Sequence, residues 1–299
     1  MKISIITPVF NRERNIALTY EALKKQSFQD FEWIIVDDGS TDKTKEIVLE
    51  LQKESPFPIK YHYIGKNNGY HQCKARNQGA RLADKSSVAY MFLDSDVLLY
   101  PDVMEKYSKA YDDNFNRVVC GMYWWGSPMS ITREDVQRRW GNIIEESLAP
   151  IENAKPHGMI GKDIRENSFI ESEQDQLRWD EGTYLACFGG NLLVPKKIFT
   201  DVAKYNMKYN PELNRDEFCG YDEHYDAPVE DGDFGLNLRD TKWPVTLHNG
   251  INGYHVWHPR NIQEIIDKSK ENIVYLDKKH KLNVQEETDK VHEQDWKIK

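Results

Sequence analysis

The sequence has few cysteines and no excess of basic residues, and each shortage excludes a class of protein. Its four cysteines are widely spaced and form no Cys-x-x-Cys pair, which argues against a zinc site or a disulfide framework and favours reduced thiols in cytoplasm. Lys plus Arg number 40 against 49 for Asp plus Glu, a formal net charge of -9. Nothing therefore indicates the clustered basic surface of a nucleic-acid-binding protein.

Long hydrophobic runs are also lacking. No window approaches the roughly 18 consecutive apolar residues that a membrane span requires. The first apolar run is interrupted at once by Pro8, Asn11 and charged residues, which is not typical of a signal peptide. We therefore expect a cytoplasmic protein that is soluble, or at most bound peripherally at the inner face of a membrane.

Short apolar segments alternate with segments of helical period from residue 3 onward. This alternation predicts an α/β fold of the Rossmann-like kind, with a mainly parallel sheet flanked by helices. The predicted strands are Ile3 to Val9, Trp33 to Val36, Ile59 to Ile64, Val88 to Leu93 and Val118 to Met122. No Gly-x-Gly-x-x-Gly follows any of them, which argues against a dinucleotide cofactor.

Two carboxylates one residue apart, Asp94 and Asp96, follow the most hydrophobic of these strands. Acidic residues commonly begin turns, so the pair has an ordinary structural explanation. However, ionised groups beside a core are costly unless they are paired or bound to a metal. Mg²⁺ and Mn²⁺ are commonly shared between one or two carboxylates and substrate phosphates, so the position favours a metal-bound nucleoside diphosphate.

Two further constellations lie later in the chain. Glu230 and Asp231 have the composition of a helix N-terminus, where acidic residues are stabilised, but one of them could equally serve as a general base. His255 and His258 could be ordinary hydrogen-bonding residues, or one of them a metal ligand, in which case imidazole favours Mn²⁺ over Mg²⁺. The sequence leaves open which histidine would bind.

The ordered motifs resemble a known family. In the stretches TPVFNRERN, VDDGSTD, NNGYHQCKARN, FLDSD, FGGN, VEDGDFG and YHVWH, between about residues 3 and 258, the chain is similar to family 2 glycosyltransferases with the GT-A fold. The later GGN, ED and YH elements resemble the catalytic modules of bacterial chondroitin polymerase and polypeptide N-acetylgalactosaminyltransferases. Ala227-Pro228-Val229 departs from the Trp and Gly that more often precede ED in the family.

The resemblance implies a role for each matching residue. The implied nucleotide-binding residues are Pro8, Asp38, Gly69, Arg76, Asp94 and Ser95. Of these, Pro8 and Asp38 would seat the base, and Arg76 would face the nucleotide. Asp96 and His255 are the implied ligands of Mn²⁺ or Mg²⁺. Asp231 is the implied base, with Glu230 orienting the acceptor.

The resemblance also implies an organisation. Residues 1–260 would form one GT-A domain, with a nucleotide-binding half at 1–125 and an acceptor-side half at 126–260. The acceptor-side half would begin with a helical or loop insertion at residues 126–182. Residues 261–299, whose charges alternate in sign along a helical period, predict a solvated helical extension. Trp140 and Trp179 could contact an acceptor sugar, or could instead anchor the insertion to the core.

The expected activity is metal-dependent, inverting transfer of a hexose or N-acetylhexosamine from a UDP-sugar to a glycan, lipid-linked or peptide acceptor, as in polysaccharide biosynthesis. Two alternatives remain. A sugar nucleotidyltransferase shares the architecture, but Thr7 to Asn11 is not the glycine-rich basic loop that it usually needs. A nucleotide-sugar-binding module without catalysis is the other, and the presence of both Asp96 and Asp231 argues against it.

Overall fold

The computed structural model describes residues 1–65, 71–114, 116–125, 131–140, 176–178, 187, 189–209, 219–225, 228–256 and 262–282. Nine strands in this part of the chain form one mixed sheet, in the order β3-β2-β1-β4-β8-β6-β9-β5, with β7 paired to β9. The strands are β1 Ile3–Val9, β2 Phe31–Asp37, β3 Ile59–Tyr63, β4 Ala89–Leu93, β5 Val97–Leu99, β6 Val118–Trp125, β7 Gln176–Arg178, β8 Asn191–Pro195 and β9 Val245–His255. No helix in the described ranges has the length and apolar character needed to cross a membrane.

The first four predicted strands are confirmed. They form the parallel part of the sheet, in which β1 pairs with both β2 and β4, and β2 pairs with β3. Side chains alternate between the two faces along β1: Ile3 and Ile5 pack in one core cluster, and Ile6 packs in the other. Because both faces are covered at β1, β2 and β4, every residue of these three strands is buried, and their sequences are mainly apolar.

The fifth predicted strand exists as β6 but does not extend the parallel series directly. β8 lies between β4 and β6 and runs antiparallel to both. All five residues of β8 are buried, so this apolar segment can occupy the centre of the sheet. The short strand β5, which the sequence reasoning missed, pairs antiparallel with β9.

Helices cover the sheet, and those predicted between the first strands are confirmed. In the described residues they are α1 Ile16–Lys24, α2 Thr44–Glu54, α3 Gln72–Leu82, α4 Val103–Asn114, α5 Arg133–Arg139, α6 Lys196–Tyr209, α7 Glu230–Asp240 and α8 Ile262–His280. Of the expected insertion at residues 126–182, α5 and β7 are described. The expected helical extension is present as α8, but Lys279 and His280 in its last turn are buried, so that end is not a solvated helix.

Candidate active site

Five chain segments meet at one edge of the sheet. The parallel strands β1, β2 and β4 end here, and antiparallel β8 begins here, because Asn191 pairs with Leu93. The fifth segment is the end of β9 at His255. Two backbone hydrogen bonds join the segments: Asp94 N donates to Gly190 O at 3.1 Å, and Val256 N donates to Asp96 O at 2.7 Å. Ligands of open α/β sheets gather at the carboxyl ends of the strands, so this edge is the candidate site.

Asp38 follows β2 at this edge and is fully buried. Its backbone N–H donates to Val9 O at 2.9 Å, and its carboxylate accepts a hydrogen bond from the backbone N–H of His71. The His71 ring nitrogen Nδ1 lies 3.4 Å from the same carboxylate. Pro8 is buried in β1, in register with Val36. Asp38 is thus placed where the start of α3 meets the strand ends.

Gly69, the other residue expected in this part of the site, lies outside the described residues. Its role therefore stays a prediction.

Arg76 joins the carboxylates of two distant motifs. It lies on α3 with no exposed side-chain surface. Its Nη1 donates to Asp231 Oδ1 at 2.8 Å and lies 3.5 Å from Glu230 Oε1, while its Nη2 donates to Asp94 Oδ1 at 3.2 Å. The guanidinium carbon lies 4.9 Å from the centre of the Tyr221 ring. Because its fork is occupied by carboxylates, Arg76 organises the site, and its expected contact with the nucleotide stays a prediction.

Burial shifts the ionisation of this cluster. Burial and the Asp231 carboxylate raise the pKa of Glu230 to about 8. Burial likewise raises the pKa of Asp94 to about 6, although Arg76 acts in the opposite direction. Burial alone would lower the pKa of Arg76, but the surrounding carboxylates, Asp231 first, raise it well above its ordinary value. The surrounding carboxylates therefore keep Arg76 charged, while burial favours the protonated form of Glu230.

The Arg76 cluster leaves no room at Gly189. A Cβ atom on this residue would lie 2.5 Å from Asp231 Oδ1 and 2.7 Å from Arg76 Cζ. A glycine is required here because the backbone of the Gly189-Gly190 turn passes directly against the paired side chains. The two glycines of the FGGN motif are thus part of the site.

Asp96 and His255 form a second group at the same edge. Asp96 follows β4 and His255 ends β9, and each is about 95% buried. The distance from His255 Nε2 to Asp96 Oδ1 is 3.6 Å. Of the two histidines that the sequence offered as ligands, the structure therefore brings His255 to Asp96, whereas His258 lies outside the described residues.

Arg12 is a site residue that sequence reasoning missed. Its Nε donates to Ser95 Oγ at 3.2 Å, and its Nη2 lies 3.9 Å from Asp96 Oδ2. Its side chain is 31% exposed, so it faces both the carboxylate and solvent. Its position in the sequence could have indicated this role, because Arg12 comes shortly after the carboxyl end of β1.

Two other contacts of the cluster were also missed. Gln72 Nε2 donates to Asp94 Oδ1 at 3.1 Å, and Tyr221 packs beneath Arg76. Nothing in the local sequence around Tyr221 indicates that it approaches α3.

Trp140 is an anchor of the core. It is 8% exposed, its Nε1 donates to Leu99 O at 2.7 Å, and its ring packs against Tyr254 and Tyr100. Of the two interpretations that the sequence left open for this residue, the structure supports the second. Trp179 lies outside the described residues.

Comparison with known proteins identifies the family of this chain. The model of the family "Glycosyl transferase family 2" matches residues 4–192. The chain is 27% identical over 296 residues to YfnE, an uncharacterized glycosyltransferase of Bacillus subtilis, covering 92% of this chain and 70% of YfnE. It is 39% identical over 224 residues to chondroitin synthase of Escherichia coli, covering 73% of this chain but 32% of the synthase.

Solved structures show the same fold. The crystal structure of S. aureus TarS 1-349 in complex with UDP matches with a TM-score of 0.56 and 17% identity, covering 90% of this chain and 64% of the other. This match confirms the expected GT-A-like architecture. The chain spans less than two thirds of TarS 1-349 and about a third of chondroitin synthase.

Proposed function

The chain belongs to glycosyl transferase family 2, and from this we propose that it transfers a hexose or N-acetylhexosamine from a UDP-sugar, with inversion, using Mn²⁺ or Mg²⁺. The proposed acceptor is a glycan, a lipid-linked sugar or a peptide. The observation that carries the proposal is the bridge made by Arg76, which brings Asp94 at a strand end and Asp231 at a helix start to opposite sides of one guanidinium.

The donor side is supported by the strand-end geometry. Asp38 stands at the end of β2 and Asp96 just past β4, at the edge where open α/β sheets bind nucleotides. The related TarS fragment is described in complexes with UDP and with UDP-GlcNAc. UDP is therefore the nucleotide that we propose for this chain.

Asp96 and His255 fit a divalent cation as a pair. Their facing atoms are 3.6 Å apart, less than the sum of two metal–ligand bonds of about 2.1 Å each. In the described part of the chain no group of three His, Cys, Asp or Glu side chains could hold an ion without help, so we assign the remaining positions to diphosphate oxygens. A cation held there would act as a Lewis acid, neutralising the charge that develops on the leaving diphosphate.

The acceptor side is supported by the unequal exposure of the acidic pair. Asp231 is 24% exposed and Glu230 is 7% exposed. Because burial favours the protonated form of Glu230, this side chain can donate a hydrogen bond to an acceptor oxygen, while Asp231 is the carboxylate that accepts the proton of the attacking hydroxyl. Attack from the face opposite the diphosphate forms the glycosidic bond as the bond to the diphosphate breaks, which inverts the anomeric centre.

Calorimetric titration with UDP tests the donor site without an acceptor. We expect binding in Mn²⁺, loss of binding in EDTA, and loss in Asp96→Ala. Asp102→Ala is the matched control, since Asp102 is 55% exposed and pairs with Lys106 on the surface. Absence of UDP binding to the wild-type protein under all conditions would overturn the proposal.

Transfer assays test the base. Asp231→Asn should bind UDP as the wild type does and lose transfer by a factor of about 10² or more, because general-base catalysis contributes about 10²–10⁴-fold. Full transfer activity in a folded Asp231→Asn variant would refute the role given to Asp231.

A further inference from the structure

Helix α8, the last of the described helices, contacts the start of α7, where Glu230 and Asp231 lie. Its Lys279 is fully buried, and its Nζ lies 2.9 Å from Asp222 Oδ2 and 2.8 Å from Asp233 Oδ1. The same Nζ donates to Asn206 Oδ1 at 2.9 Å. A buried lysine is costly unless it is paired and hydrogen-bonded, so these partners fix the last turn of α8 against its neighbours.

The residue next to Lys279 extends this contact along α7. The two ring nitrogens of His280 lie 2.9 Å from Asp233 Oδ1 and 2.8 Å from Asp240 Oδ2. Asp233 and Asp240 belong to the first and last turns of α7. Since Asp233 lies in the same turn as Glu230 and Asp231, α8 holds the turn that carries the proposed acceptor-side carboxylates.

The backbone that leads into α7 is strained. Val229 has φ 97° and ψ -16°, a left-handed conformation that is unfavourable for a β-branched residue. Such a conformation persists only when the surrounding structure over-determines it. Asn272 of α8 supplies one such restraint, because its Nδ2 donates to Pro228 O at 2.7 Å.

A further contact holds residues 219–225, which precede α7 in the chain. Tyr275 of α8 donates from its hydroxyl to Asp222 Oδ2 at 3.0 Å, and its ring stacks on His224 with centroids 3.7 Å apart. The adjoining Tyr221 supports Arg76. Both the chain before α7 and the first turn of α7 thus depend on contacts with α8.

We propose that α8 is a positioning element for the transfer reaction, in which Asn272 and Lys279 hold the strained Val229 turn so that Glu230 and Asp231 face Arg76. The inference rests on the proposed function for its catalytic readout. It gives residues 272–280 a role in kcat rather than in donor binding. These residues lie outside residues 4–192, which the family model matches.

The test compares two substitutions on α8 in the full chain. Asn272→Ala removes the hydrogen bond to Pro228, whereas the control Ser269→Ala, one turn earlier, removes a bond to Ile265 O within α8 itself. We expect Asn272→Ala to lower kcat by at least tenfold, since small misplacements of reacting groups are costly, with KM for the donor and Kd for UDP unchanged within twofold. Ser269→Ala should retain wild-type kcat.

A double-mutant cycle separates positioning from a general structural role. Val229→Gly removes the strain, because glycine adopts positive φ at little cost, so the turn no longer needs the Asn272 restraint. Asn272→Ala should then lower kcat less in the Val229→Gly background than in the wild type. An equal effect in both backgrounds, or a parallel loss of UDP binding, would overturn the inference.

Hydrogen exchange of the Asp233 amide provides a readout that needs no transfer assay. This amide donates to Val229 O at 3.0 Å and therefore reports on the turn. It should exchange faster in Asn272→Ala than in Ser269→Ala. Equal rates would refute the inference, whereas faster exchange without any transfer by the wild type would refute the proposed function alone.

Discussion

Arg76 and Asp231 are separated by 155 residues in the chain and by 2.8 Å in the structure. At neutral pH the guanidinium compensates two buried or half-buried carboxylates at once, through a fork geometry that lysine cannot reproduce. The resemblance placed Arg76 towards the nucleotide. The structure surrounds it with Asp94, Glu230, Asp231 and Tyr221, so its observed contribution is to hold the two sides of the site together, and a contact with the nucleotide stays a prediction.

Arg12 should contribute to binding of the diphosphate. It is the partly exposed cation beside Ser95 and Asp96, and a hydrogen bond to a charged group contributes about 1.5–3 kcal/mol. We expect Arg12→Met to weaken UDP binding by about tenfold, measured by calorimetry in Mn²⁺. The control is Arg14→Met, since Arg14 is exposed and two residues along. Equal affinities of the two variants would contradict this role.

Glu230 should make stability depend on pH. Its pKa is raised from 4.5 to about 8 by burial and by Asp231, so the folded state keeps a proton that the unfolded chain releases. The resulting stabilisation is complete below pH 4.5 and is lost as the pH rises through 8. The side chain in Glu230→Gln is neutral at every pH, so this variant should not lose stability as the pH rises through 8.

Urea denaturation in EDTA at several pH values between 5 and 9 measures this effect. The free energy of unfolding of Glu230→Gln should increase relative to that of the wild type as the pH rises. Parallel profiles for the two proteins would show that Glu230 is ionised in the folded state.

At the scale of elements, α8 shows how a charged helix can end in a core. Its alternating charges predicted a solvated helix, and most of its described length fits that description. The last turn does not, because Asp222 and Asp233 converge on Lys279 from loop and helix segments distant in sequence. Neither carboxylate can be assigned to this lysine from local pattern alone.

Lys279→Met should destabilise the protein strongly. Removing one partner of a buried ion pair leaves the others uncompensated and costs about 3–5 kcal/mol. Lys278→Met, at the neighbouring exposed position, should change the free energy of unfolding by no more than about 0.5 kcal/mol. Urea midpoints measured at pH 7 decide the matter, and similar midpoints for the two variants would show that the Lys279 pairs contribute little.

At the scale of the whole molecule, the sheet does not depend on a ligand. Its two main core clusters consist of apolar side chains on opposite faces of β1–β4, and neither includes Asp96 or His255. We therefore expect the protein to remain folded in EDTA. Ligand binding should add stability only through linkage, as a term that grows with ligand concentration.

Differential scanning calorimetry should show this linkage. UDP at a hundred times its Kd adds about 2.7 kcal/mol, which for 299 residues corresponds to a rise in Tm of roughly 4 °C. The rise should require Mn²⁺ and UDP together and should be absent in Asp96→Ala. A rise with UDP in EDTA would exclude metal-dependent binding.

Local patterns in the sequence were enough to predict the parallel strands, the helices between them and the carboxylates at the strand ends. Strand and helix periods are set by neighbouring residues, and a buried parallel sheet requires apolar runs that end in polar turns. The order of motifs was enough to predict the family. Asp38, Asp96 and Glu230-Asp231 could therefore be named before any contact was known.

The tertiary structure alone decided how distant segments combine. It placed β8 between β4 and β6, brought His255 to Asp96, closed Arg76 between Asp94 and Asp231, and made Trp140 part of the core. Each of these depends on which segment fills a space left by others, or on which charges meet when water is excluded. Such pairings are properties of the packed chain, since no local sequence period encodes them.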